Sequence, residues 1–169
     1  MDQMNPKFLL DGMLGSLARW LRICGYDAEY VQSLPDDELL DRATKGGSVL
    51  LTRDDLLFRK AQRAGLDAFI VVGDGDAERL ASVARRFHLE LNPDSSRCPV
   101  CGGSLSQVDK DELTGKVPAR TLEAYDEFRV CDSCGKVFWR GSHWKNIQAT
   151  IDEARELAAL ASRESEQDL

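Results

Sequence analysis

Two short cysteine knuckles constrain this chain more than any other feature: Cys98-Pro99-Val100-Cys101-Gly102 and Cys131-Asp132-Ser133-Cys134-Gly135. Each pair has the spacing that lets two thiolates grip one ion, and four soft ligands suit tetrahedral Zn²⁺. The glycine closing each knuckle lets the backbone turn under the metal and aim N–H groups at the sulfurs. The expected result is a zinc ribbon over 97–145 that pins two distant stretches of chain together. Two disulfides or a redox dithiol are the competing readings, and disulfides would require an oxidising compartment.

The chain has 169 residues, 43% of them hydrophobic and 30% charged, enough for one domain with a real core plus an appendage. No apolar run reaches membrane-spanning length, and Met1 to Lys7 lacks a signal-peptide core. Cys24 follows an apolar stripe and reads as a buried thiol. These features point to a reducing, cytoplasmic location with no membrane partner. The net charge of −7 weighs against nucleic acid, but it is unevenly spread. Residues 1–96 carry 12 basic and 16 acidic side chains, 97–145 carry 8 and 7, and 146–169 carry 2 and 6. The segment holding the knuckles is therefore the least acidic before thiolates are counted.

Residues 7–92 alternate short apolar runs with helical periodicity. Phe8–Leu10, Ala28–Val31, Val49–Thr52 and Ala68–Val72 read as strands. Leu14, Leu17, Ala18 and Leu21 mark one helix face, and Gly25 ends that helix. A second helix, N-capped near Asp36, closes at Gly46-Gly47; a third opens at Asp54; a fourth runs from Ala77 to Phe87. Strands alternating with helices at this spacing predict a mostly parallel α/β sheet. Asn92 to Ser96 has linker composition. A last helix over 146–162 shows Ile147, Ile151, Ala154, Ala158 and Ala161 on one face, followed by a polar tail expected to fray.

Ligands of open parallel sheets bind at the carboxyl ends of strands. Asp11, Asp36 and Asp54 all follow strands and so face one edge. Either each is a helix cap, or together they hold Mg²⁺ or Mn²⁺ through hard oxygen ligands and serve phosphodiester chemistry. Asp37, Glu38 and Asp55 lie beside them, and Asp74 and Asp76 follow the fourth strand, with Asp76 also placed to cap its helix. Arg19, Arg22 and Arg53 lie near this edge and either hold phosphate oxygens or form solvated faces and ion pairs. Lys136, Arg140, His143 and Lys145 surround Phe138, Trp139 and Trp144, a mixture that suits RNA. Burial of the ribbon is the alternative role for Trp139 and Trp144.

Taken together, these motifs resemble a known family. Phe8-Leu9-Leu10-Asp11-Gly12-Met13-Leu14, Leu17-Ala18-Arg19-Trp20-Leu21-Arg22, Gly25-Tyr26-Asp27, Pro35-Asp36, Leu50-Leu51-Thr52-Arg53-Asp54 and Val117-Pro118 follow one another in order. With both knuckles and Lys136 to Trp144, the stretch from about residue 8 to 150 resembles the Mut-seven C-terminal ribonuclease family of PIN-like nucleases. The resemblance implies a three-layer α/β/α nuclease with a zinc ribbon, acting on single-stranded or structured RNA. It also implies a Mg²⁺ or Mn²⁺ site on Asp11, Asp36 and Asp54. One position departs: many PIN-like nucleases place another acid two residues after the third, where this chain has Leu56. That departure favours an alternative, a non-catalytic RNA- or ribosome-binding zinc-ribbon protein. A protein-interaction adaptor is the other alternative.

Overall fold

The computed structural model describes the backbone of residues 4–167 and the side chains of residues 4–161. Four parallel strands form the main sheet: β1 (Phe8–Leu10), β2 (Ala28–Tyr30), β3 (Val49–Thr52) and β4 (Ala68–Ile70), in the order β2-β1-β3-β4. The central pair β1 and β3 is buried throughout, as continuous apolar runs in a sheet covered on both faces must be. Alternation then sorts the side chains. Phe8, Leu10, Val49 and Leu51 face one layer, while Leu9 and Leu50 face the other.

The first layer holds α1 (Gly15–Ile23) and α4 (Asp76–Phe87). The second holds α2 (Asp36–Gly46) and α3 (Asp55–Arg63), which bury Leu39, Ala43, Leu57 and Ala61. The expected α/β/α sandwich is therefore present. β2 and β4 are shorter than their apolar runs suggested; Val31 and Val72 lie beyond the paired residues. Two expected caps are also corrected. Pro35 and Gly75 occupy the N-cap positions of α2 and α4, and Asp36 and Asp76 are the first helical residues, with no side-chain cap bond at either N-cap. Their charges still oppose the positive end of each helix dipole. Asp54 does cap α3, its carboxylate accepting from Leu56 N–H and Leu57 N–H.

A second, antiparallel sheet contains β5 (Leu105–Val108), β6 (Phe128–Cys131) and β7 (Val137–Phe138). The 29 residues between the knuckles are more than a loop. They include α5 (Ala119–Ala124) and bury Leu113 and Val117 against Phe128, with Trp139 closing the cluster. The ribbon therefore carries its own small core.

The terminal helix α6 (Trp144–Gln167) starts earlier and runs further than its apolar face implied. The tail expected to fray from Ser162 is helical as far as Gln167, and residues 168–169 lie outside the described region. Ile151 and Ala154 are fully buried in the first-layer core beside α4. α6 thus completes the sandwich after the ribbon has interrupted it. The segment with linker composition is a packed 3₁₀ turn (Pro93–Ser95) with Pro93 buried. It presses so closely on Gly25 (φ 92°) that a Cβ there would lie 2.7 Å from the Ser95 carbonyl oxygen.

If α6 belongs to the core, Ile151→Ala will lower unfolding free energy by roughly 2–5 kcal/mol. Urea denaturation should show this as one cooperative transition at a lower midpoint. A loss below about 1 kcal/mol would make α6 an appendage.

Candidate metal centre and nuclease edge

Thiolates of both knuckles converge. The Cys98 and Cys134 sulfurs are 3.8 Å apart, Cys101 and Cys131 are 3.4 Å apart, and all four lie within 4.8 Å of one another. A tetrahedron with ~2.3 Å metal–sulfur bonds needs sulfurs about 3.8 Å apart, so the set fits a structural ion such as zinc. These distances are far too long for disulfide bonds. The closing glycines adopt φ of 80° (Gly102) and 76° (Gly135), and their N–H groups donate to the Cys98 and Cys131 carbonyls. Backbone N–H groups also point at the sulfurs, as expected: Gly103 N–H serves Cys101, and Ser133 and Cys134 N–H both serve Cys131. The Cys134 N–H contributes most to lowering the Cys131 thiol to about 6. Cys24, outside this set, is buried, and desolvation pushes its thiol up to about 12, as an inert core cysteine requires.

A second site lies at the carboxyl ends of β1 and β3. The chain leaves β1 for β2 on one side, then crosses to β3 on the other, so these neighbours form the topological switch point of the sheet. Asp11 follows β1 and is 9% exposed. Its two oxygens accept from Met13 N–H (3.2 Å) and from the Thr52 hydroxyl. Thr52 Oγ1 also accepts from Asp54 N–H at 3.0 Å, so one fully buried hydroxyl ties the two aspartates across the switch point.

Asp36 approaches from α2, where its carboxylate meets Lys60 Nζ of α3 at 3.0 Å. The hydrogen bond and charge of Asp36 raise the Lys60 pKa, and the Asp37 and Asp54 charges add to that shift. Among the described residues the three aspartates do not converge as the four cysteines do. Asp37, Glu38 and Asp55 are exposed in the first turns of α2 and α3. Asp74 is exposed, its N–H donating to Glu78, and Asp76 accepts from the Ser16 hydroxyl at 2.8 Å.

The basic residues divide. Arg22 donates to the carbonyls of Ala28 (2.8 Å), Pro99 (3.2 Å) and Val100 (3.1 Å), clamping the first knuckle to α1. Arg53 donates to the Gly73 carbonyl. Arg19, Arg140 and His143 line a cleft between α1 and the ribbon, whereas exposed Lys136 and Lys145 lie outside it. Thr52, Lys60, Tyr30 and Arg129 were not singled out from sequence. Thr52 stands in the Leu50 to Asp54 motif, which gave it no role of its own, and Lys60, six residues after Asp54, carries no distinguishing pattern.

The sequence model of the Mut7-C RNAse domain matches residues 6–151, which include both the switch-point aspartates and all four cysteines. The chain belongs to the Mut7-C RNAse domain family, and that membership points to a nuclease-type function with RNA as substrate or partner. No curated protein and no solved structure gives a significant match.

Protein purified without chelator should carry about one zinc per chain by elemental analysis, as a four-cysteine structural site requires. Cys131→Ser should lose the metal and raise protease sensitivity between Arg97 and Gly141. Absence of zinc from the wild type would overturn the ribbon assignment.

Proposed function

We propose that this chain is a metal-dependent ribonuclease that hydrolyses RNA phosphodiester bonds at the carboxyl ends of β1 and β3. Asp11 carries this reading: it is a buried carboxylate at the switch point, and among the described residues it has no basic partner. Two hydrogen bonds, from Met13 N–H and the Thr52 hydroxyl, satisfy its oxygens without supplying an opposite charge, which a hard cation would supply. The neighbouring carboxylates support the fit, since they already draw the Lys60 ammonium to the edge. Mg²⁺ or Mn²⁺ would be held by Asp11, Asp36 and Asp54, and supplies charge neutralisation of the phosphate and an acidified water.

The remaining work falls to the chain itself. Thr52 orients the Asp11 carboxylate through its hydroxyl hydrogen bond. Asp54 presents one oxygen to the α3 N-terminus, leaving the other for a ligand. Asp36 would have to give up Lys60 and move toward Asp11 and Asp54 to share the ion, since the three carboxylates do not converge among the described residues. A reducing cytoplasmic location forms part of the proposal, because it keeps the knuckle thiolates available to zinc.

A second reading, a non-catalytic RNA- or ribosome-binding protein, is favoured by one observation. Leu56 stands 67% exposed beside Asp54, where an acid would complete the site.

Purified protein should degrade RNA with Mn²⁺ or Mg²⁺ present and lose activity in EDTA. Asp11→Asn and Asp54→Asn should each reduce the rate by at least about 100-fold, as losing a metal ligand implies. Equal rates for wild type and both variants would overturn the nuclease reading, and RNA binding without cleavage would support the second.

A further inference from the structure

The cleft between α1 and the ribbon is a built feature with a composition of its own. It has a volume of about 650 Å³, within the range of pockets that enclose small organic ligands. One wall comes from Arg19 of α1 and Tyr30 of β2; the other comes from Arg129, Trp139, His143 and Trp144. The charge of the lining opposes that of the molecule. Five of its residues are basic (Arg19, Arg22, Arg129, Arg140, His143) and Glu127 alone is acidic, in a chain of net charge −7.

The individual groups are not equivalent. Arg22 is committed to backbone carbonyls, as described above. Arg140 pairs with Asp94 at 2.6 Å and lies 4.1 Å over the Trp144 ring, which fixes the indole as a wall of the cleft. Arg19 is exposed and makes no ion pair among the described residues, so its guanidinium is available to a ligand. A lining that mixes aromatic side chains with cations suits a nucleobase joined to a phosphate.

Position relates the cleft to the acidic edge. Tyr30 Oη donates to the Gly12 carbonyl at 2.8 Å, and Gly12 directly follows Asp11. The cleft therefore opens beside the loop that begins with the buried carboxylate.

We infer that the cleft is a nucleotide subsite that takes an unpaired base of an RNA strand whose backbone continues to the Asp11 edge. This rests on the ribonuclease reading and adds a requirement to it. Bases in an A-form duplex are stacked and paired, so their faces cannot reach Tyr30, Trp139 or Trp144. The substrate must be single-stranded at the nucleotide entering the cleft. Arg19 then meets a phosphate of the strand, and the indoles meet the base.

The test uses the full zinc-loaded chain with no Mg²⁺ or Mn²⁺ added, where binding is measured without cleavage. The probes are a fluorescein-labelled oligoadenylate and the same strand annealed to oligouridylate. Anisotropy should show the single strand binding roughly ten-fold tighter than the duplex, and unlabelled oligoadenylate should quench tryptophan fluorescence. Arg19→Glu, an exposed change, should weaken single-strand binding about ten-fold with unchanged thermal melting and zinc content. Trp144→Ala should abolish most of the quenching. Equal affinity for strand and duplex, or wild-type affinity in Arg19→Glu, would overturn the subsite. The two readings fail separately: strand binding without any metal-dependent cleavage would refute only the nuclease, and cleavage with unselective binding would refute only the subsite.

Discussion

The side-by-side parallel pairing of β1 and β3, closed at its carboxyl end by the Thr52 hydroxyl, is the constraint on which the structure turns. Both strands are wholly buried, so their register cannot slip without moving Leu9 and Leu50 into the wrong layer. That register brings Leu10 beside Leu51 and leaves Asp11 and Thr52 as the next residues on the two chains. A buried hydroxyl there must find partners, and it finds the Asp11 carboxylate and the Asp54 N–H. Packing of the core and placement of the acidic edge are consequences of one pairing.

The ribbon depends on that frame and extends it. Arg22 comes from α1, whose position is set by Leu17, Ala18 and Leu21 in the first-layer core. Its guanidinium meets the carbonyls of the first knuckle, and the Arg97 N–H returns to the Arg22 carbonyl at 2.8 Å. These bonds hold the ribbon against α1 and create the cleft. The four thiolates then fill a closed tetrahedron with no position left for substrate, so a metal there stabilises the ribbon fold. The four-cysteine set, which could hold a metal such as zinc, shares no residue with the acidic edge.

Much of this was legible in the sequence because the signals were local. Four apolar strand runs, the helix face at Leu14 to Leu21 and the spacing within each knuckle all rest on neighbouring residues. The failures are tertiary. Asn92 to Ser96 had the composition of a loose linker, yet Pro93 is buried because the chain must return tightly across Gly25. Arg22 stood open between a phosphate contact and a solvated or ion-paired face because a sequence shows a charge but not the carbonyls that will claim it. Asp36 and Asp76 carried cap chemistry, but Pro35 and Gly75 precede the helical residues and take the cap positions. α6 showed its apolar face in the sequence, but not what that face packs on, because its core partners in α4 lie on the other side of the ribbon. Likewise, an edge lined with carboxylates was foreseeable, while Lys60 among them was not.

The central claim is that the β1–β3 edge binds a divalent cation through Asp11. Electron paramagnetic resonance of free Mn²⁺, titrated with RNA-free protein already loaded with zinc, tests it without relying on catalysis. The account predicts that wild-type protein depletes the free-ion signal and that Asp11→Asn, with the same zinc content and thermal melting, leaves it undiminished. Equal depletion by the two proteins, or none by the wild type, would contradict it.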